Sequence, residues 1–543
     1  MVFARRSTTL LAALIASCAM VLSLTACTSD NKTVVDGQTT VTSNSAGGVA
    51  VFTPSDGITL NQQVPLNKWA KLVPDLTKAL VDAGFKKGDI NHTTSDSLDK
   101  QSRAIQDFVV DHLSNNTTDD SGIAIAPDNM TLLVAPVVEA DASTRQYGDY
   151  VSQNLSTNDV TDEGATSDGE SSEDDSSKDD SSNTESDSTA SDEQAQAVDR
   201  LVSSLKLAKE SGMHVVLLGN SIEGYKPDAF VKFSDAQTIG KLQAEKMVSK
   251  LKLDKASKDN PKYIEVLLPY TAVDEKGNAN DSTFAQEAFR GIWQVLGSYY
   301  QKGVVESPSG TLDGKSTEND WQAVAYDAAK EGSTAKVLDK RLAKTDGQST
   351  LTRIDGIITM NDYIASEVVK ELDDLGYTGS AADINPQITI SGIVGNITGK
   401  KDLSRDAVPD PIKSPENDNA NDSSSSDDDA DEDTSASDKD RDSQWPLVTG
   451  YGAYVSNIPS IVNGKQWMTG MEDRQTIATD IAQACAKLNK DEALNSMPSI
   501  RNSEVGGVKK IPTISEPLLA VSASNLKSAL IDPGYISLAD AGL

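Results

Sequence analysis

From about Phe52 to the last residue, short and nearly continuous apolar runs alternate with longer segments in which apolar residues recur every three to four positions. The runs read as strands: Thr131-Leu132-Leu133-Val134-Ala135-Pro136, His214–Leu218, Tyr263–Leu268, Gly356–Met360, Ile388–Ser391 and Leu447–Thr449. The periodic segments read as helices. Trp69, Leu72, Val73, Leu76 and Leu80 share one helical face, as do Leu98, Ile105, Phe108 and Val109, and then Val198, Leu201, Val202 and Leu205. Further helices are expected near Ser234–Val248, Phe284–Leu296, Trp321–Leu338 and Ile364–Leu375. A strand that is apolar at every position has to be covered on both faces. The pattern therefore predicts an α/β fold of parallel sheets with helices on either side. Its length exceeds what one core serves, so two such units are expected.

The charge is confined. The 543 residues carry a formal charge of -33, most of it in two Ser/Asp/Glu runs, Asn158–Glu193 and Asp402–Asp442. Neither run has enough apolar surface to offset chain entropy, so both read as disordered insertions. Strings such as Asp427-Asp428-Asp429 lack the turn glycines and fixed spacing of a calcium loop. No basic stripe or aromatic–basic interleaving is present, which excludes nucleic acid as a partner on charge grounds.

The first residues, "MVFARRSTTLLAALIASCAMVLSLTAC", combine a basic head with a short apolar stretch and read as a secretory signal. Leu24-Thr25-Ala26-Cys27 resembles a bacterial lipobox, which implies cleavage before Cys27 and lipidation of its thiol. Residues Thr28–Gly47 are small and polar, as a tether would be. Cys485 is the third cysteine and sits in a helical pattern with Ile477, Ile481 and Ala484, where it is expected to pack as a small hydrophobe. Neither a disulfide framework nor a cysteine metal site can be built.

Catalytic constellations are missing. His92, His112 and His214 have no partner at metal-ligand spacing, and no Gly-x-Ser-x-Gly elbow occurs. Gly395–Lys401, "GNITGKK", is one residue short of a phosphate loop and has Lys401 where Ser or Thr would hold magnesium. What recurs is a pattern of strand ends: Asn67-Lys68-Trp69, Gly219-Asn220, Phe233-Ser234-Asp235, Asn280-Asp281, Asn361-Asp362 and Gly450-Tyr451-Gly452. Any one Asn or Asp there is an ordinary helix cap. Taken together, aromatic faces with amides and carboxylates are the means of gripping a polyol.

"DAFVKFSDAQTIGKLQAEKMV" (Asp228–Val248), "NDSTFAQEAFRGIWQVL" (Asn280–Leu296), "DGIITMNDYIASEVVKEL" (Asp355–Leu372), "GYGAYVSNIPSIVNGKQWMTGMEDRQTIATDIA" (Gly450–Ala482) and the tail "KKIPTISEPLLAVSASNLKSALIDPGYISLADAG" resemble, in order, the type I periplasmic sugar-binding proteins. These are the ribose, xylose and multiple-sugar receptors of ABC transporters. The resemblance spans nearly all of Phe52–Leu543 outside the acidic insertions. It implies two doubly wound parallel-sheet lobes joined by a three-strand hinge that closes on ligand. The expected map is a signal at 1–27, a tether at 28–47, an N-terminal lobe at 48–233, a C-terminal lobe at 234–452, a return to the first lobe at 453–490 and a crossing segment at 491–543.

The resemblance also implies roles: capture without chemistry, no cofactor or metal, a sugar-like small molecule as ligand, ABC permease subunits as partners, and an extracytoplasmic chain held to the membrane by lipid on Cys27. Lys68, Trp69, Asn220, Asp235, Asn280, Asp281, Asn361, Asp362 and Tyr451 stand at the family's ligand-binding positions. Departures are marked. Lys68 replaces an Arg, Gly219-Asn220 an Asp-Arg pair, and Gly450-Tyr451-Gly452 a Gly-Gln-Asp strand end. Each hydrogen bond to a charged group contributes about 1.5–3 kcal/mol. A chain without these clamps is expected to take a larger or less polar glycan, a glycoside, or a nucleoside-like or signal molecule. The competing expectation is a surface sensor or structural lipoprotein whose pocket has diverged.

Overall fold

The apolar runs form parallel strands buried on both sides. The computed structural model describes residues 34–35, 38–39, 46–56, 65–115, 125–138, 145–150, 153–156, 185–273, 279–343, 350–382 and 444–543. Residues 34–35 and 38–39 form a two-stranded antiparallel ladder of their own; residues 46–543 are one unit built of two lobes.

The N-terminal lobe opens with β1 (Gly48–Pro54), α1 (Trp69–Asp82), β2 (Ile90–Ser95), α2 (Leu98–Asn115), β3 (Met130–Val134), α3 (Glu185–Glu210), β4 (His214–Leu218) and β5 (Ala229–Lys232). Alternation along the strands explains the unbroken hydrophobicity. Val49 and Val51 pack with Leu72, Leu76 and Leu80 of α1, whereas Ala50 and Phe52 pack with Ile105, Val109, Leu201 and Leu205 of α2 and α3.

The chain crosses at Phe233–Asp235 into the C-terminal lobe. There follow α4 (Ala236–Lys250), β6 (Lys262–Val266), α5 (Thr283–Gln301), β7 (Val305–Glu306), α6 (Ser333–Arg341), β8 (Gly356–Ile358), α7 (Asp362–Leu375), β9 (Leu447–Tyr451) and β10 (Met468–Met471). It returns at Glu472 and Asp473 into α8 (Arg474–Leu488), which packs on α1. The hairpin β11 (Ile500–Val505) and β12 (Val508–Ser515) joins the first sheet, and β13 (Leu519–Ser522) crosses a third time to the edge of the second. The first sheet runs β11-β12-β5-β4-β3-β1-β2 and the second β7-β6-β8-β9-β10-β13. All pairings are parallel except β11 with β12 and β10 with β13. These are the two doubly wound lobes and three crossings that the resemblance implies.

Some expectations need adjusting. The return to the first lobe begins at Glu472, not at 453, because β10 pairs in parallel with β9 and so belongs to the second sheet. The single helix expected over Trp321–Leu338 is broken: Trp321–Val324 is one turn, Ala325-Tyr326 pairs with Leu268-Pro269, and α6 starts after Gly332 at φ +70°. Helix α3 begins at Glu185, inside the acidic run read as unstructured. Cys485 is fully buried among the side chains of α1 and α8, as expected. Residues 1–33 with Cys27, the strand expected at Ile388–Ser391, the Gly395–Lys401 loop and the acidic run 402–442 lie outside the described residues. Among the described residues no helix is long and apolar enough to cross a membrane.

Candidate ligand-binding cleft

Parallel strands all end on the same side of their sheet, so each lobe presents a row of loops at its carboxyl edge, the usual place for a ligand in such sheets. The three crossings bring the loop rows of the two lobes against one another.

The wall of the N-terminal lobe is aromatic. Trp69, at the first position of α1, meets Tyr150 edge-on at 5.1 Å and Phe233 at 5.7 Å, and Tyr150 stacks on Phe233 at 4.7 Å. All three are buried. Asp149 fixes the corner: its carboxylate accepts from Lys68 Nζ at 2.7 Å and from the Trp69 amide at 3.0 Å. Tyr150 donates its hydroxyl to the Lys68 carbonyl at 2.5 Å. Burial raises the Asp149 carboxyl above the usual carboxylate range, against the opposing pull of Lys68.

Two crossings are tied together at the floor. The Ser234 amide donates to Glu472 Oε1 at 2.7 Å, and Ser234 Oγ lies 2.5 Å from the Tyr451 hydroxyl. That hydroxyl in turn reaches Glu472 Oε1 at 3.4 Å. Glu472 is fully buried, and desolvation pushes its carboxyl up to about 7. The Glu472 amide donates to Asn67 Oδ1 at 3.4 Å, and Asn67 Nδ2, buried beside it, has no hydrogen-bond partner among the described residues.

On the C-terminal side, Asn361 caps α7 through the Ile364 amide at 2.9 Å, and its Nδ2 donates across the cleft to Gln146 Oε1 at 3.1 Å. The Tyr454 hydroxyl donates to the Gln146 carbonyl at 2.6 Å. Tyr147 packs on Phe284 at 4.6 Å and on Tyr451 at 6.2 Å between ring centroids. The loop that follows β3 thus spans both lobes at its Gln146–Tyr150 segment.

The nine candidate residues divide. Trp69, Asn361 and Tyr451 gather at the cleft, with Lys68 beside them through Asp149. Asp362 lies behind the cleft and is saturated: it accepts from Gln466 Nε2 at 2.7 Å and from the Tyr454 amide and Thr469 Oγ1 at 2.9 Å each. Burial pushes its carboxyl up to about 6, against these hydrogen bonds. Asn220 staples two loops, donating to the Pro136 carbonyl at 2.9 Å and accepting from the Gln153 amide at 3.0 Å. Asp235 caps α4 through the Thr238 amide at 2.7 Å. Asn280 holds its own turn through the Thr271 carbonyl at 2.8 Å, and the exposed Asp281, one residue ahead of the α5 N-cap Ser282, accepts from the Thr283 amide at 2.9 Å. Gln146, Tyr147, Tyr150, Phe284 and Glu472 are the cleft residues that strand-end reading passes over, and Ser234 stands in a strand end from which only Asp235 was singled out. Tyr147-Gly148-Asp149-Tyr150 carried the same aromatic–glycine–acid signal, but in a segment with no strand pattern next to it.

Gly450 explains part of the altered strand end. A Cβ there would lie 2.2 Å from Asp362 Oδ1 and 2.7 Å from Gln466 Nε2, so the buried Asp362–Gln466 pair requires glycine. Among the described residues no cluster of three His, Cys, Asp or Glu side chains is placed to hold a metal. What the arrangement offers is ring faces and neutral hydrogen-bond donors, which orient a ligand.

No family model and no curated protein matches the chain. Solved structures do. An ABC transporter solute-binding protein from Clostridium phytofermentans with bound β-D-glucose is 16% identical, with 91% of this chain and 99% of that one covered and a TM-score of 0.44. A carbohydrate transporter solute-binding protein from Chloroflexus aurantiacus in complex with D-glucose is 18% identical over 92% and 98% of the two chains, TM-score 0.42. A periplasmic ribose ABC transporter protein from Conexibacter woesei is 13% identical over 90% and 96%, TM-score 0.42.

Proposed function

We propose that the chain is an extracytoplasmic solute-binding lipoprotein, held to the membrane through lipid on Cys27, that captures a sugar-like ligand between its lobes and delivers it to the permease subunits of an ABC importer. One observation carries the reading. Aromatic and amide side chains from the loop edges of both lobes, Trp69, Tyr150 and Phe233 on one and Phe284, Asn361 and Tyr451 on the other, are bridged by Gln146 and Tyr147 beside a hinge of three chain crossings. Such a hinge converts binding energy into closure, and closure is what a permease can sense. The proposal involves capture alone, with no covalent step.

The ligand class follows from the wall. Ring faces outnumber charges, and the carboxylates nearest the cleft are engaged internally. That favours a glycoside or nucleoside-like solute over a free pentose or hexose. A thermal-shift screen of the intact protein against monosaccharides, oligosaccharides, glycosides and nucleosides tests this. A solute present at about 100 times its Kd adds about 2.7 kcal/mol to stability. A shift with ring-bearing solutes is the expected result. Tight binding of an unmodified hexose would overturn the ligand class, and no shift at all would turn the reading toward a surface sensor or structural lipoprotein. Incorporation of labelled palmitate, lost in Cys27→Ala, tests the anchor.

A further inference from the structure

We propose that Gln146 and Tyr147 are a built-in occupant of the interlobe cleft, standing where a solute with a flat ring and two hydrogen-bond acceptors binds once they are displaced. The proposal rests on the reading of the chain as a solute receptor and assigns that receptor a self-filled resting state.

The geometry of the loop divides it in two. Asp149 and Tyr150 anchor it to the N-terminal lobe through Lys68 and the Trp69 amide, and the Asp149 amide donates to the Asn67 carbonyl at 2.8 Å. Gly148 is the pivot. Its φ is +94°, and a Cβ there would come within 2.5 Å of the Asn67 carbonyl. Ahead of the pivot, the contacts change lobes. The two donors on the C-terminal wall, Asn361 Nδ2 and the Tyr454 hydroxyl, both end on Gln146, one on its side-chain oxygen and one on its backbone oxygen. The ring of Tyr147 fills the space beside Phe284 and Tyr451.

These groups supply what a solute would have to supply: a flat ring next to two acceptors. Every one of these contacts is neutral, so a neutral solute can replace them without breaking an ion pair. The replacement by the loop is incomplete, because Asn67 Nδ2, under the pivot, is buried and has no hydrogen-bond partner among the described residues. A buried amide donor left in that state is unusual and marks a place where a ligand acceptor is missing. Because only the fraction of molecules with the loop displaced can bind, apparent affinity is reduced by that fraction.

The test uses the intact protein with Gln146→Ala/Tyr147→Ala, and with Tyr454→Phe as a milder variant that removes a single loop contact. Two readouts are needed. The first is the radius of gyration from solution scattering without ligand. The proposal expects the double variant to be larger than the parent, because the contacts bridging the lobes are gone. An unchanged radius overturns it, whatever the ligand. The second is calorimetric titration with 4-nitrophenyl glucoside and with adenosine, using methyl glucoside as the ringless control. A rise in affinity of about tenfold or more for a ring-bearing probe in the double variant, and a smaller rise in Tyr454→Phe, is the expected result. Equal or weaker binding in the variants would overturn the proposal while leaving the receptor reading intact. Opening of the lobes with no binding by any protein would uphold the occupant and sink the receptor reading.

Discussion

Glu472 concentrates the chemistry of the hinge in one side chain. It is buried, it receives the Ser234 amide of the other crossing, and its carboxyl is pushed from 4.5 up to about 7. A folded-state pKa above the unfolded one means that the stabilising contribution is complete below about pH 4.5 and is lost as pH rises through 7. At 1.36 kcal/mol per unit the loss is about 3 kcal/mol. Asp362, raised from 3.8 to about 6, adds in the same direction over a lower window. Denaturant midpoints measured from pH 4.5 to 8 should therefore fall, and Glu472→Gln, which keeps the shape and removes the titration, should flatten the upper part of the fall. An unaltered slope would contradict this. The acid was invisible to sequence reading because it stands between a strand and a helix where acids are commonly caps; only the pairing of β10 with β9 puts it at a crossing. Gly450 was legible as an altered strand end, but its cause was not, since Asp362 and Gln466 are over a hundred residues apart and nearly adjacent in space to it. Gly450→Ala should destabilise the protein by about 1–3 kcal/mol through this overpacking, read as a lowered denaturation midpoint with binding measured separately.

At the scale of elements, the central strands β3, β4, β6, β8 and β9 were legible because their hydrophobicity is continuous, and the helices because a single stripe of each faces a sheet; β2, largely exposed, and the half-exposed hairpin β11–β12 carry no such run and were not read. Boundaries failed where tertiary pairing decided them. Ala325-Tyr326 interrupts an apparently helical run by joining Leu268-Pro269, and nothing local forecasts that partner. Strand-end Asn and Asp residues were legible as a class but not individually. Asp235 is the cap of α4, bonding the Thr238 amide and hydroxyl at 2.7 and 2.6 Å. Asp235→Ala should cost about 1 kcal/mol of stability, the ordinary price of a lost cap. Lowered affinity with unchanged stability would return this residue to the ligand.

The whole molecule was legible as two lobes, because motif order along the chain carries the crossings even where single motifs do not. The occupied cleft was not legible. It depends on Gln146 and Tyr147, whose contacts lie in the opposite lobe, and no periodicity records such a contact. If the chain is the solute receptor proposed above, its lobes are held together by its own residues and its solute has to compete with them.

Hydrogen–deuterium exchange on the intact protein, with and without the solute giving the largest thermal shift, tests capture between the lobes most directly. The structure predicts added protection at Asn67–Trp69 and Phe233–Ser234 in one lobe and at Asn361 and Tyr451 in the other, with Gln146–Gly148 becoming less protected as the loop is displaced. Protection confined to one lobe, or lying away from these loops, would contradict a solute held in the cleft.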